Sequence, residues 1–501
     1  MASHGCLIPD RVFDAREFGA LGDGLRLDTP AINHAIAALA EAGGGTLRLP
    51  PGRYLGHSIR LRSRIRLHLE AGAVLIAADP PALPGAGPGY DLPEERPAAC
   101  TAYQDFGHSH WRNSLISGLD LEHVAITGPG LIWGRGLVNG DYEPGRLPAM
   151  QPGVGNKAIA LYRCRNVSLS GFSVLHGGHV AVLATGCRDV TISGLVIDTN
   201  RDGINLDCCQ RVTVDRCAVN SPSDDGICLK SSFALGAAVP CEDIAISGCT
   251  VSGSWQPGTL LDGSRRRAHG GMREAFVNVT HHTGRIKLGT ESNGAFRRVR
   301  VENCRFDFSR GVALETVDGA DLEDVALRGI TLRGVRHAPL FIRLGARLRG
   351  PAGTRPGRCR GIVIEDMEAD QPWSAMPMII AGLRGAPIED VRLRRITLRS
   401  RGGGAARLAR RLPPEAAADY PDPEMFGLDL PAAGLFARHL RGLDLRRFRL
   451  ICARPDARPL AWLADADRVH LDIAHVTGLG GGPLVRAASD VRRLRLTGEG
   501  S

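Results

Sequence analysis

Residues 164–220 read CRNVSLSGFSVLHGGHVAVLATGCRDVTISGLVIDTNRDGINLDCCQRVTVDRCAVN. One phrase comes round three times in this stretch. A cysteine and a polar step lead to an alternating triplet (VSL, VTI, VTV), then a turn and a second short apolar strand (FSVL, LVI, CAV). Cys164, Cys187 and Cys209 fall 23 and 22 residues apart, at the same place in the phrase. Strands this short, at this period, do not build a compact sandwich from ordinary hairpins. They suit a coil of short strands stacked in parallel, each turn burying its inward residues on the next.

Outward from this stretch the phrase recurs from about residue 114 to the end. Copies include LEHVAITGPGLIWG, CEDIAISGCTVSGS, FRRVRVENCRFDFS, LEDVALRGITLRGV, CRGIVIEDMEADQP and IEDVRLRRITLRSR, mostly 21 to 32 residues apart. Cys217, Cys249 and Cys304 share a second place in it. Such cysteines are expected to be inert buried thiols in vertical stacks inside the coil.

The ends of a coil expose backbone edges and need covers. Residues 10–75 are expected to supply one, with the first strands. Asp28-Thr29-Pro30 opens a helix with a capping residue and a proline in its first turn. AINHAIAALAEA follows in helical period, and Gly43-Gly44-Gly45 stops it. Residues 401–436, rich in Gly, Ala and Pro, depart from the repeat and are expected to form a long loop lying on the coil. No linker divides the chain, so residues 1–501 are expected to form a single domain.

Composition excludes several classes. An apolar content of 43% rules out disorder, and no apolar run approaches the length of a membrane-spanning helix. The net charge of +9 is carried almost wholly by arginine: of 62 basic residues, only Lys157, Lys230 and Lys287 are lysine. No basic helix or cluster of stacking aromatics accompanies the charge, so nucleic acid is not an expected partner. The 13 cysteines show no zinc spacing and are odd in number, so neither a metal site nor a disulfide framework is expected. Met1-Ala2-Ser3-His4-Gly5 does not read as a signal peptide.

The chemistry concentrates where acids interrupt the repeat. Asn200-Arg201-Asp202-Gly203 and Ser223-Asp224-Asp225-Gly226 each end one coil and precede a strand. Asp202 lies 22 and 23 residues before Asp224 and Asp225, one coil lower. Residues one period apart become neighbours about 4.8 Å apart, so three carboxylates are expected to crowd one edge. Asp-Gly pairs also serve simply as turns, but two in register, one preceded by another Asp, point to catalysis. Crowded like charges raise at least one pKa, which suits a general acid. Two such carboxyls fit glycoside hydrolysis.

With these residues quoted, the chain resembles the polygalacturonases and their relatives, glycoside hydrolase family 28 of the pectin-acting β-helix superfamily. The resemblance rests on FDAREFGALGDGLRLDTPAINHAI, GGGTLRLPPGRYL, the NRDG and SDDGICLKS elements and the coil phrases between them, over roughly residues 10–350. It implies an all-β, single-stranded, right-handed parallel β-helix of the pectin lyase-like kind, with an N-terminal capping helix. It also implies inverting hydrolysis of α-linked galacturonate chains without a metal or other cofactor. Asp224 would match the general acid, and Asp202 and Asp225 the pair that activates water. The implied partner is an acidic, pectic poly- or oligosaccharide, and the implied location is secreted or periplasmic.

The pattern departs from the family at three points. Arg201 stands where the family has Thr, which puts a cation beside the carboxylates. The family's G-H-G motif is missing, and His281-His282 are its nearest candidates. R-I-K, which grips a substrate carboxylate in the family, has a literal match at Arg285-Ile286-Lys287. Yet Gly289-Thr290-Glu291 resembles a G-S-E segment that belongs one coil earlier, so by register Ala313-Leu314-Glu315 fills the R-I-K place. An acid there repels a galacturonate carboxylate. The substrate-binding candidates are therefore Arg201, Lys230, Arg285, Lys287, Glu291, Glu315, Arg343, His179 and His282. Rival readings are a calcium-dependent polysaccharide lyase that uses the three aspartates as ligands, and a non-catalytic carbohydrate-binding β-helix.

Overall fold

The computed structural model describes residues 7–83, 87–139, 148–267 and 282–498. The chain forms two compact units. The first comprises Met1–Cys228, Phe233–Ala237 and Ser252–Gly284; the second comprises Leu229–Ser232, Ala238–Val251 and Arg285–Ser501.

In the first unit the repeat becomes three parallel ladders. Lys157–Tyr162 pairs with Val180–Thr185, which pairs with Asp202–Asp207. Arg165–Ser170, Arg188–Ser193 and Gln210–Asp215 form the second ladder. Ser173–Leu175, Val196–Asp198 and Ala218–Asn220 form the third. The alternating triplets align in register: Val167, Val190 and Val212 stack, as do Leu169, Ile192 and Val214, and all six are buried. Asn166, Asp189 and Arg211 repeat a left-handed bend at the same step of each coil, with φ of 53°, 56° and 56°. Asn and Asp tolerate that region best. This is the expected all-parallel β-helix.

The thiols line up as the spacing implies. The Sγ of Cys164, Cys187 and Cys209 donates to the carbonyls of Gly118, Leu161 and Ala184, each on the coil before. All twelve described cysteines are buried.

The N-terminal cap holds the helix Thr29–Glu41, which buries Ile32, Ala35, Ile36 and Leu39. After it, the amides of Gly43 and Gly44 donate back to the carbonyls of Ala40 and Leu39. Asp28 differs from expectation: its side chain makes no cap bond to the helix. Its carboxylate instead accepts from the amides of Leu21, Gly22 and Leu55, tying the cap to the strand Gly52–Gly56. Two amides from the incoming chain and one from the later strand outcompete the helix's own orphan donors.

The first ladder is buried on both faces, unlike the second. Its outer face is covered by the segment before it. Trp111 packs with Ala160, Tyr162, Val180 and Leu183, and its Nε1 donates to Thr185 Oγ1 at 3.1 Å. Glu94 anchors that segment by accepting from the amides of Trp111 and Arg112. The same cover carries the short turn Phe106–His108.

In the second unit, Ile286–Ser292, Val312–Thr316, Leu340–Leu344 and Met378–Ala381 form one ladder, continued by the start of Leu435–Asp456. Its other strands grow long, as in Cys359–Gln371, Ile388–Gly402 and Ala461–Leu479. The chain between Gly402 and Leu435 makes two short turns, Ala406–Arg410 and Pro423–Phe426. Phe426 is fully buried among Phe341, Phe436 and Trp462.

Candidate functional site

The two Asp-Gly pairs meet through their backbones. The amide of Gly203 donates to the carbonyl of Asp225 at 3.0 Å, and that of Ser223 to Asn200 at 3.0 Å. Glycine is required at 203, because a Cβ there would lie 2.4 Å from the carbonyl oxygen of Gly226. The stacking brings one carboxylate oxygen from each of Asp202, Asp224 and Asp225 within 4.8 Å of one another. Asp202 and Asp225 are buried, and the Asp224 side chain is 28% exposed.

Arg201 bonds Asp224 Oδ2 through Nη2 at 2.9 Å, while its Nη1 donates to the carbonyl of Asn139 at 3.2 Å. Burial raises the pKa of Asp224, the charge of Asp202 raises it further, and Arg201 opposes both. The net shift is upward, so Asp224 keeps its proton above the ordinary carboxyl range. Ser221 Oγ fixes the turn by donating to the carbonyls of Arg201 and Asp224.

The His282–Gly284 segment lies against the same turn. The amide of Gly284 donates to the carbonyls of Ser221 and Asp224, and His282 Nδ1 contacts the carbonyl of Gly253 at 3.2 Å. His282 is buried; His281 lies outside the described residues.

His179 sits just ahead of the strand that pairs with Asp202–Asp207. Its Nδ1 is 3.0 Å from the carbonyl of Asn139. Burial first, then the charges of Arg201 and His108, hold its imidazole well below the usual histidine range. His108, which the repeat pattern did not single out, is buried beside it with ring centroids 5.0 Å apart. His108 Nε2 lies 3.3 Å from Asp202 Oδ2. Asn205 Nδ2 donates to that same oxygen at 3.1 Å and lies 3.0 Å from His108 Nε2. His108 arrives on the non-repeating cover, where no period can align it with the aspartates.

In the second unit the remaining candidates are largely paired with one another. Lys230 Nζ bonds Glu291 Oε2, and Arg347 lies 3.5 Å from the other Glu291 oxygen. Lys287 is 3.6 Å from Glu315 Oε2, with both side chains almost fully buried. Tyr420 caps this pair, accepting from Lys287 Nζ at 3.2 Å and from Thr290 Oγ1 at 3.1 Å. Arg285 is buried; against the upward push of burial, Arg310, 2.9 Å from Asp422, then His337 and more weakly Arg285 hold the Asp422 carboxyl below its usual range. Arg343 is fully buried and directs its Nη atoms to the carbonyls of Ala381, Gly382, Glu415 and Ala416, which fastens the loop.

Residues 99–255, which carry the three aspartates, match the family model described as Glycosyl hydrolases family 28. The chain is 26% identical over 339 residues to a probable polygalacturonase of Vitis vinifera, a match covering 64% of this chain. It spans 61% of that relative's length. Among solved structures, a Yersinia enterocolitica family 28 exopolygalacturonase aligns with a TM-score of 0.60 at 16% identity, over 97% of this chain and 78% of that one. A hyperthermoactive exopolygalacturonase from Thermotoga maritima aligns with a TM-score of 0.58 at 19% identity, over 79% and 89%. These structural likenesses are likenesses of fold.

Proposed function

Because residues 99–255, which hold the three aspartates, match the model of glycosyl hydrolases family 28, we propose that the chain is a polygalacturonase-like glycosidase. Its substrate is an α-linked, uronate-containing glycan of the pectic kind. The observation that carries this proposal is the meeting of Asp202, Asp224 and Asp225 on hydrogen-bonded coils.

Asp224 acts as the acid, passing its proton to the glycosidic oxygen as the bond from the anomeric carbon breaks. Water attacks that carbon from the opposite face and gives its proton to the Asp202–Asp225 pair. The configuration inverts, and solvent returns the proton to Asp224. The raised pKa of Asp224 supports the acid role, and Arg201 steadies the carboxylate left behind.

The cations proposed to meet sugar carboxylates are Arg201, Lys230, Arg285 and Lys287. Lys230 and Lys287 already face Glu291 and Glu315. A sugar carboxylate must compete with these counter-ions, which favours a mixed chain, such as a rhamnogalacturonan fragment, over uniform polygalacturonate. Such glycans lie outside the cell, so a secreted or periplasmic site of action is part of the proposal. Among the described residues no helix is long and apolar enough to cross a membrane.

The test is incubation with polygalacturonate and rhamnogalacturonan oligosaccharides, with and without a calcium chelator. New reducing ends of inverted configuration, without unsaturated products, are expected in both. Unsaturated, chelator-sensitive products would establish a lyase instead. Binding without cleavage, unchanged in Asp224→Asn, would establish a binding module.

A further inference from the structure

The proposed chemistry leaves two buried imidazoles beside Asp202 without a task. One donor atom from each of His108, His179 and Asp202 lies within 4.8 Å of the other two, and all three residues are at least nine-tenths buried.

His179 Nδ1 faces the carbonyl of Asn139, an acceptor only, so it carries the ring proton and Nε2 carries the lone pair. Nε2 is buried and has no hydrogen-bond partner. A buried polar atom left unsatisfied costs free energy unless something meets it. An imidazole whose Nδ1–H is anchored to a backbone carbonyl is the usual form of a metal-ligating histidine.

The second histidine has matching geometry. With metal–nitrogen and metal–oxygen bonds of about 2.0–2.2 Å, two ligands of a tetrahedral ion stand about 3.4 Å apart. His108 Nε2 and Asp202 Oδ2 are 3.3 Å apart. Asn205 Nδ2 lies 3.0 Å from His108 Nε2 and 3.1 Å from Asp202 Oδ2, and in the tautomer protonated at Nδ1 His108 presents its Nε2 lone pair beside that oxygen. Gly107 permits the two rings to approach, since a Cβ at that position would lie 2.6 Å from His179 Cδ2.

Charge favours a dication as well. Asp202 also belongs to the cluster with Asp224 and Asp225, where Arg201 bonds Asp224. Asp202 and Asp225 are both buried, and crowded buried carboxylates favour a nearby cation. Two nitrogen donors with carboxylate oxygens suit a first-row transition ion, whereas calcium takes oxygen ligands throughout.

We propose that His108, His179 and Asp202 form a binding site for a divalent transition-metal ion, with solvent completing the coordination. The bound ion takes the Asp202 oxygen that would otherwise receive the proton of water, so occupancy inhibits hydrolysis. The inhibition rests on the hydrolase proposal; the binding does not.

The probe is Zn²⁺, titrated calorimetrically into metal-stripped full-length protein, with Co²⁺ absorption as a spectroscopic counterpart. We expect one ion per chain in the wild type and in Asp224→Asn, whose hydrolysis is lost but whose two histidines remain. His108→Gln and His179→Gln should each weaken binding at least tenfold and abolish the visible Co²⁺ bands, with melting curves confirming that they fold. X-ray absorption of the zinc-loaded wild type should show imidazole scattering, a readout that needs no variant. Absence of stoichiometric zinc, wild-type zinc affinity in both histidine variants, or loss of zinc to excess Ca²⁺ would overturn the site. Zinc bound without inhibition would overturn the inhibitory role. Zinc bound to a chain that cleaves no glycan would sink the hydrolase proposal and leave the site standing. Cleavage by a chain that binds no zinc would do the reverse.

Discussion

Arg201 Nη2 and Asp224 Oδ2 stand 2.9 Å apart, so the cation of one coil sits on the proposed acid of the next. Its charge holds the Asp224 pKa lower than burial and Asp202 alone would set it. Arg201→Thr should therefore move the alkaline limb of the pH–rate profile to higher pH, because the acid keeps its proton longer. A profile of kcat/KM recorded in chelator-containing buffer measures this. An unmoved or lowered limb would contradict it.

Asp224→Asn separates activity from stability. Loss of the proposed acid should lower kcat by about 10²- to 10⁴-fold. The folded-state pKa of Asp224 is raised, so its ionised form opposes folding. The stability linked to this group is present below the unfolded carboxyl range and is lost as pH rises through the raised value. The Asn variant should thus melt higher than wild type near neutral pH, and the difference should vanish in acid. Parallel melting curves across pH check the sign.

Lys287 and Glu315 form a buried pair whose halves depend on each other. Lys287→Met removes this ammonium from beside buried Glu315 and should cost about 3–5 kcal/mol in urea unfolding. The double change Lys287→Met, Glu315→Leu should recover most of that loss. Additive losses would show that the two do not act as a pair.

Lys157 is fully buried, and desolvation lowers its pKa from 10.5 to about 7. The unfolded chain therefore binds this proton more readily than the folded one. The contribution to stability is largest above the unfolded value, declines as pH falls from about 10.5 to about 7, and then stays low. Lys157→Met should flatten wild type's rise in unfolding free energy across that window, a difference of a few kcal/mol.

What the sequence made legible follows from the repeat. A fixed period ties residue spacing to stacking, so the ladder Val167, Val190, Val212 could be read from spacing alone. So could the neighbourhood of the Asp202 and Asp224 segments. The stacking of Val312–Thr316 on Ile286–Ser292 follows the same period, and Glu315 stands against Lys287. His108 was not, because it reaches Asp202 from a covering segment whose path no period dictates. Tyr420 was hidden in the same way, as it comes to Lys287 from the loop between Gly402 and Leu435. Asp28 shows a further limit. Its type and place suit a helix cap, yet backbone amides distant in sequence claimed its carboxylate.

The column of Cys164, Cys187 and Cys209 gives the protein a built-in clock. Each thiol is sealed in the stack and tied to the carbonyl of the coil before it. An alkylating reagent can reach such a sulfur only when that coil parts from its neighbour. The rate at which each cysteine is labelled under native conditions therefore times the opening of its own rung, and the order of labelling traces where the stack first unravels.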